Sequence, residues 1–203
     1  DPETGQETFW KDVVDGEGKV TGREKTFNIN EATQYEIGDA LPDVTGGFRT
    51  SFRWKNFDFM LAAAYQIGGR QWDGNSANVY SPGRAGFTAS QDLVGNTWTP
   101  EHTNAKFPKL MFNGTWNFVG SNCDYLYRDA SYFSLKTINV GYTLPKRWTS
   151  KICIESLRVF FAADNLYFTS AHTGFDPRTA YAGQNAFGFP QAKTFTFGIT
   201  MNL

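Results

Sequence analysis

The side chains able to do acid–base or metal chemistry are scattered along this 203-residue chain and form no catalytic pattern. His102 and His172 have no cysteine or histidine neighbours at the spacing of zinc ligands. The candidate calcium ligands are Asp12, Asp15, Glu17 and Asp39. Their spacing differs from that of the twelve-residue calcium loop and indicates an acidic turn instead. No serine lies in a nucleophile elbow. We therefore expect no enzyme, no metal site and no cofactor.

Aromatic side chains, which make up 17% of the residues, are the second group with a chemical use. An aromatic ring stacks on the apolar C–H face of a sugar, so aromatics in outer loops predict ligand contact by Trp72, Tyr80 and Trp116. Other loop aromatics are Phe87, Trp98, Tyr125 and Tyr127. The alternative is that these rings pack the loops together or form an interfacial girdle.

Strict alternation of apolar and polar residues predicts that β-strands position these side chains. From Lys193 to Leu203 every apolar side chain falls on one face, and the segment has about the length of a tilted strand that crosses a bilayer. Four further strands are predicted at about Phe48–Trp54, Phe57–Ile67, Tyr132–Leu144 and Leu157–Phe168.

The links between the predicted strands alternate between short and long. They are Lys55-Asn56, about residues 68–131, residues 145–156 and about residues 169–192. This alternation is typical of a transmembrane β-barrel with tight periplasmic turns and long outer loops. A soluble sandwich seldom carries a loop of about 60 residues. Because such barrels end on the periplasmic side, we expect residues 68–131 and 169–192 to be extracellular.

Charge and hydropathy exclude other classes of protein. The net charge of -1 offers no basic field for nucleic acid. No segment approaches ~20 consecutive apolar residues, so no transmembrane helix is predicted.

The last residues of the chain match a sequence pattern that is recognised by strand pairing. Thr196–Leu203 resembles the terminal signal that the barrel-assembly machinery recognises by strand pairing, carried here by Gly198, Met201 and Leu203. The alternative is an ordinary amphipathic strand.

A set of short motifs, in order along the whole chain, resembles the SusC/RagA-like TonB-dependent outer-membrane transporters. The carrying segments are residues 38–48, Phe57-Asp58, residues 65–69, Trp98-Thr99-Pro100-Glu101, Pro108, residues 129–133, Leu135, residues 139–145, residues 163–166, residues 174–177, Pro190 and Gly198. Within this pattern Trp98 is interpreted as a loop anchor.

The resemblance implies an all-β fold: antiparallel strands of a large transmembrane β-barrel of about 22 strands, of which this C-terminal segment supplies about five and does not close the barrel. Residues 1–43 would be an extracellular loop region with a short hairpin, and residues 44–203 the barrel part. The implied function is import of oligosaccharides or peptides across the bacterial outer membrane. The implied partners are a SusD-like surface lipoprotein, TonB acting through an N-terminal part that this chain lacks, outer-membrane lipid and the assembly machinery. The alternatives are a passive porin-like channel and a soluble carbohydrate-binding β-sandwich.

The two cysteines, Cys123 and Cys153, are predicted not to bond. The strand between them places their loops on opposite sides of the membrane, about 30 Å apart. A disulfide needs Cα atoms within about 7 Å.

Overall fold

A computed structural model describes residues 1–81, 88–111, 114, 116–120, 122–179, 184–185 and 189–203. The chain divides into two compact units. The first comprises Asp1–Gly38, Trp72–Tyr127 and Gln184–Phe187; the second comprises Asp39–Gln71, Arg128–Gly183 and Gly188–Leu203.

The second unit is built on an antiparallel five-stranded sheet. Its strands are β3 (Val44–Trp54), β4 (Phe57–Ile67), β7 (Tyr132–Thr143), β8 (Ser156–Ser170) and β10 (Thr194–Asn202), in the spatial order β10-β8-β7-β4-β3. All five predicted strands are present, and β4 has the predicted bounds. The first begins at Val44, four residues before Phe48, because Gly46 and Gly47 pair with Tyr65 and Ala64 although they carry no alternating side chain.

Strand register places most of the large apolar side chains of the five strands on one face. The rows run Ile199, Val159, Tyr142, Phe57, Trp54; then Phe197, Phe161, Val140, Phe59, Phe52; then Phe195, Ala163, Ile138, Leu61, Thr50. The opposite face carries most of the polar side chains, together with some apolar ones; one of its rows is Thr196, Ala162, Asn139, Met60 and Ser51. The sheet is therefore amphipathic, as period-2 alternation along the strands predicts.

Register shifts interrupt the pairing of β7 with its neighbours near Lys136. On β8 the corresponding place is Asn165, whose φ is 53°, a left-handed conformation that asparagine tolerates better than most residues. Its side-chain amide donates to Ala192 O at 3.2 Å. An irregularity of this kind bends the sheet locally.

The first unit begins with a hairpin of β1 (Phe9–Val14) and β2 (Val20–Thr26). Asp15 caps its turn by accepting hydrogen bonds from Glu17 N and Lys19 N. Among the described residues the remaining regular elements are β5 (Arg70–Asp73), α1 (Gly74–Val79), β6 (Tyr127–Asp129), α2 (Lys146–Thr149) and β9 (Gln184–Asn185). Short 3₁₀ turns lie at Ile29–Glu31, Gln91–Leu93, Asn117–Val119, Asp124–Leu126, Ser150–Ile152 and Pro177–Thr179.

None of the helices in the described part of the chain has the length and apolar character needed to cross a membrane.

Candidate functional site

The apolar face of the sheet is largely exposed. Phe197 is 80% exposed and Ile199 70% exposed, and neighbouring strands carry Phe48, Phe52, Trp54, Phe57 and Val140 exposed as well. A contiguous exposed apolar surface across several strands marks a membrane or protein contact.

An ion pair crosses three strands on the polar face. Arg158 on β8 donates to the Asp58 carboxylate on β4 through Nε at 2.9 Å, and its Nη2 donates to Asn139 Oδ1 on β7 at 3.0 Å. The side chain passes over Gly141, where an added Cβ would lie 2.3 Å from Nη2. Glycine at this position therefore opens the path by which the arginine reaches its carboxylate.

The candidate assembly residues lie on β10 and just after it. Gly198 lies beneath the Phe160 ring, and an added Cβ would be 2.3 Å from that ring. Packing against Phe160 therefore explains a glycine at this position without any role in assembly. Met201 and Leu203 are exposed. Recognition of these residues by the assembly machinery stays a prediction.

Three of the sequence motifs meet at the end of the sheet where β4 finishes. Gly68 and Gly69 both have positive φ, and a Cβ on Gly68 would collide with the Asp43 carboxylate. Gly68 N donates to Ser131 Oγ at 2.9 Å, and Ala130 N donates to Gly69 O at 2.9 Å. Only glycine fits this close backbone approach at positive φ. The motifs around Asp43, Gly68-Gly69 and Ala130-Ser131 therefore form one closely packed, hydrogen-bonded group at this end of the sheet.

An arginine with a largely buried side chain holds the loop that follows β8. Arg178 is 8% exposed at its side chain and forms a bidentate pair with Asp176, with Nε–Oδ1 at 2.8 Å and Nη2–Oδ2 at 2.6 Å. Its Nη1 donates to Ser134 Oγ at 2.9 Å, and its guanidinium lies 3.8 Å from the centroid of the Phe168 ring. Phe175 beside it is 1% exposed. We call this group, Asp176, Arg178, Ser134 and Phe168, the loop latch.

The three predicted ligand aromatics pack inside the first unit. Trp116 is 3% exposed, stacks near Phe107 and Phe118, and donates its indole N–H to Lys109 O at 3.1 Å. Trp72 and Tyr80 are partly buried and pack against the cluster of Ala77, Val119 and Leu126. In this conformation Trp116 offers almost no surface to a ligand. Ligand contact by the three side chains stays a prediction.

The other loop aromatics have varied positions. Trp98 anchors the start of the chain, since its indole N–H donates to Pro2 O at 2.9 Å and its ring lies against Gly5. Tyr125 is 38% exposed and meets Phe118 edge to face. Phe87 lies outside the described residues.

Three of the four acids considered for calcium have structural partners. Asp12 pairs with Arg23 at 2.9 Å, Asp15 caps the hairpin turn, and Asp39 accepts from Leu41 N at 2.9 Å. Among the described residues no three histidine, cysteine, aspartate or glutamate side chains converge as metal ligands.

Both cysteines are free, as predicted, and they differ in environment. Burial, together with the nearby charges of Asp124 and Glu7, raises the pKa of the Cys123 thiol to about 11. Cys153 is exposed, in a left-handed conformation with φ 58°.

This difference predicts unequal reactivity. Because the thiolate is the nucleophile, raising the Cys123 pKa from 9.0 to about 11 lowers its thiolate fraction at pH 8 by about 100-fold. We expect maleimide to modify Cys153 within minutes and Cys123 far more slowly in the folded protein. Mass spectrometry of time points checks this, with urea-unfolded protein as the control in which both rates converge. Equal rates in the folded protein would contradict the burial of Cys123.

Known proteins resemble this chain over nearly its whole length. TonB-dependent receptor P3 of Formosa agariphila is 30% identical over 212 residues, which span 99% of this chain and 19% of the receptor. TonB-dependent receptor SusC of Bacteroides thetaiotaomicron is 24% identical over 201 residues, 95% of this chain and 19% of SusC. The solved structure of the RagAB peptide transporter superposes with a TM-score of 0.81 at 24% sequence identity, covering 99% of this chain and 21% of that one. No model of a known protein family matches.

The chain is an all-β segment of a TonB-dependent barrel, as the sequence predicts. It belongs to the SusC/RagA-like TonB-dependent receptors and spans about a fifth of the length of the curated relatives that it matches. The loop latch and the Arg158–Asp58 pair are features that sequence reasoning missed. The Gly174-Phe175-Asp176-Pro177 motif was a signal for the former; the ion pair joins residues 100 positions apart and leaves no local pattern.

Proposed function

We propose that this chain is part of the wall and outer loops of a TonB-dependent transporter that imports large nutrients across the bacterial outer membrane. The observation that carries the proposal is the similarity to TonB-dependent receptors along the whole chain, joined to a sheet with one apolar and one polar face. In the membrane the apolar face would meet lipid and the polar face the barrel interior.

The polar face suits a wall that lies against a solvated interior. Arg158, Asp58 and Asn139 satisfy one another there, which a charged pair facing hydrocarbon could not do at low cost. A passive porin-like channel would have the same wall. Finding a plug domain and a TonB box in the complete protein would support the transporter, and their absence would decide for the porin.

A SusD-like surface lipoprotein is the proposed partner, covering part of the outer loops. Oligosaccharides and peptides are the proposed substrate classes, and the RagAB relative is a peptide transporter by name. Energy would come through TonB, and it would act on parts of the transporter other than this segment.

The proposed topology predicts which side a protease can reach. We expect protease added to intact cells to cut within residues 68–131 once the lipoprotein partner is deleted, and to cut less when it is present. Immunoblotting with an epitope at Lys19 in the outer hairpin gives the fragment sizes, and a periplasmic protein that stays intact is the control. Cutting that occurs only after the outer membrane is permeabilised would mean that the topology is inverted.

A further inference from the structure

We infer that one end of the five-stranded sheet is a binding surface for anionic phospholipid headgroups. This end consists of the turn Lys55-Asn56 and the link of residues 144–155, and we call it the basic rim. The inference rests on the proposed function, because it takes the basic rim to lie at the periplasmic leaflet of the outer membrane.

Hydrogen bonds hold the two links of the basic rim side by side. Thr143 N donates to Asn56 O at 2.8 Å, and Asn56 Nδ2 donates to Thr143 O at 2.6 Å. Leu144 N donates to Leu157 O at 2.8 Å, and Glu155 N donates to Asn202 O at 2.9 Å. The links are thus part of the sheet edge, and their side chains share one end of the molecule's second unit.

The basic rim carries an excess of positive charge. Its basic residues are Lys55, Lys146, Arg147 and Lys151, and all four are exposed. Glu155 is the acidic residue in these two links. The nearby strand acid Asp58 is already paired with Arg158. The opposite end of the sheet mixes both signs, with Asp43, Asp129 and the Asp176–Arg178 pair. The excess is therefore specific to one end.

Two aromatic rings lie under these cations. Lys55 Nζ is 5.0 Å from the centroid of the Trp54 ring, and the Arg147 guanidinium is 5.5 Å from that of Trp148. The rings are 56% and 52% exposed. Tryptophan with an adjacent cation suits the boundary between acyl chains and headgroups, where the ring meets hydrocarbon and the cation meets phosphate.

The apolar face of the sheet runs directly into the basic rim. Trp54 and Phe57, the last and first residues of β3 and β4, flank Lys55-Asn56 and continue the apolar face that Phe52 and Phe59 occupy further along these strands. A lipid whose tails lie along β3 and β4 would bring its headgroup to the turn at Lys55. Charge complementarity selects an anionic headgroup over a zwitterionic one, at roughly five-fold in affinity per basic residue near the surface.

Titration of the complete purified transporter with fluorescent phosphatidylglycerol tests the inference, with phosphatidylcholine of the same tails as the neutral probe. We expect the wild type to prefer phosphatidylglycerol, and the triple variant Lys146→Gln, Arg147→Gln, Lys151→Gln to lose at least about ten-fold in affinity for it. The matched control removes three exposed charges elsewhere, with Lys19→Gln, Lys25→Gln and Lys193→Gln, and should keep the preference. Heat-modified gel migration confirms that each variant is folded. An equal loss in both triple variants, or no preference in the wild type, overturns the inference.

Labelling of Cys153, the native cysteine of the basic rim, tests the proposed topology independently of lipid binding. A maleimide coupled to a large polyethylene glycol should label Cys153 only after the outer membrane is permeabilised. Labelling on intact cells would overturn the proposed orientation, and with it the periplasmic leaflet. Protection of Cys153 together with a missing lipid preference would overturn the headgroup site alone.

Discussion

Replacing Ile199 with arginine is expected to lower the stability of the folded barrel in lipid by roughly 2–4 kcal/mol. Ile199 is 70% exposed and lies at the middle of β10, on the face that all five strands fill with apolar side chains. In the proposed membrane this position is near the midplane, where an arginine loses its hydration without gaining a partner. The free energy of unfolding from lipid vesicles in urea, followed by tryptophan fluorescence, measures the effect.

The matched control is Thr196→Arg on the polar face of the same strand. Thr196 lies opposite Ala162 and away from the Arg158–Asp58 pair, so a new arginine there points to the solvated interior. We expect a change below about 1 kcal/mol for this variant, as for most surface substitutions. Equal costs at the two positions would contradict the assignment of the two faces.

Replacing Arg178 with alanine is expected to open the loop latch at a cost of roughly 3–5 kcal/mol to the local structure. The Arg178 and Asp176 side chains are 8% and 17% exposed, so the variant breaks a largely buried ion pair by removing its cation. It also removes the donor to Ser134 Oγ and the ring contact with Phe168. Hydrogen exchange of amides near residues 171–179 should accelerate strongly, while exchange in β7 and β8 changes little.

Two variants separate the ion pair from simple loss of volume. Arg178→Lys keeps the charge but loses the bidentate fork, and we expect an intermediate effect. The double variant Asp176→Ala, Arg178→Met removes both charges of the pair together, and it should recover part of the protection. Unchanged exchange in Arg178→Ala would mean that the loop is held by Phe175 and its backbone bonds instead.

The strands could be predicted because each carries its own alternation. Lys193–Leu203 predicts β10 within one residue at each end, since every second side chain there is apolar. Val44–Gly47 could not be predicted from alternation. These residues adopt the strand conformation because they pair with Ala64–Ile67, and this pairing is a tertiary contact that their own sequence does not encode.

The interior of the first unit shows where residue type alone misleads. Trp116 and Tyr80 are residue types that stack on sugars, and this suggested ligand contact. Trp116 instead lies in a buried stack beside Phe107 and Phe118. Burial depends on which loops meet, and residues about 20 to 110 positions apart meet here, such as Glu7 with Asn117 at 2.9 Å. Local sequence patterns carry no record of such contacts.

Accessibility of single cysteines along β10 tests most directly whether the sheet crosses a bilayer with its apolar face in lipid. Cys123 and Cys153 are first replaced by serine, and one cysteine at a time is introduced from position 194 to 202 in the complete protein and spin-labelled in liposomes. The account predicts a period of two: labels at 195, 197, 199 and 201 are relaxed by oxygen dissolved in the lipid, and those at 194, 196, 200 and 202 by a water-soluble nickel chelate. High nickel accessibility at all positions, or exclusion of both relaxing agents at the odd positions as in a protein core, would contradict it.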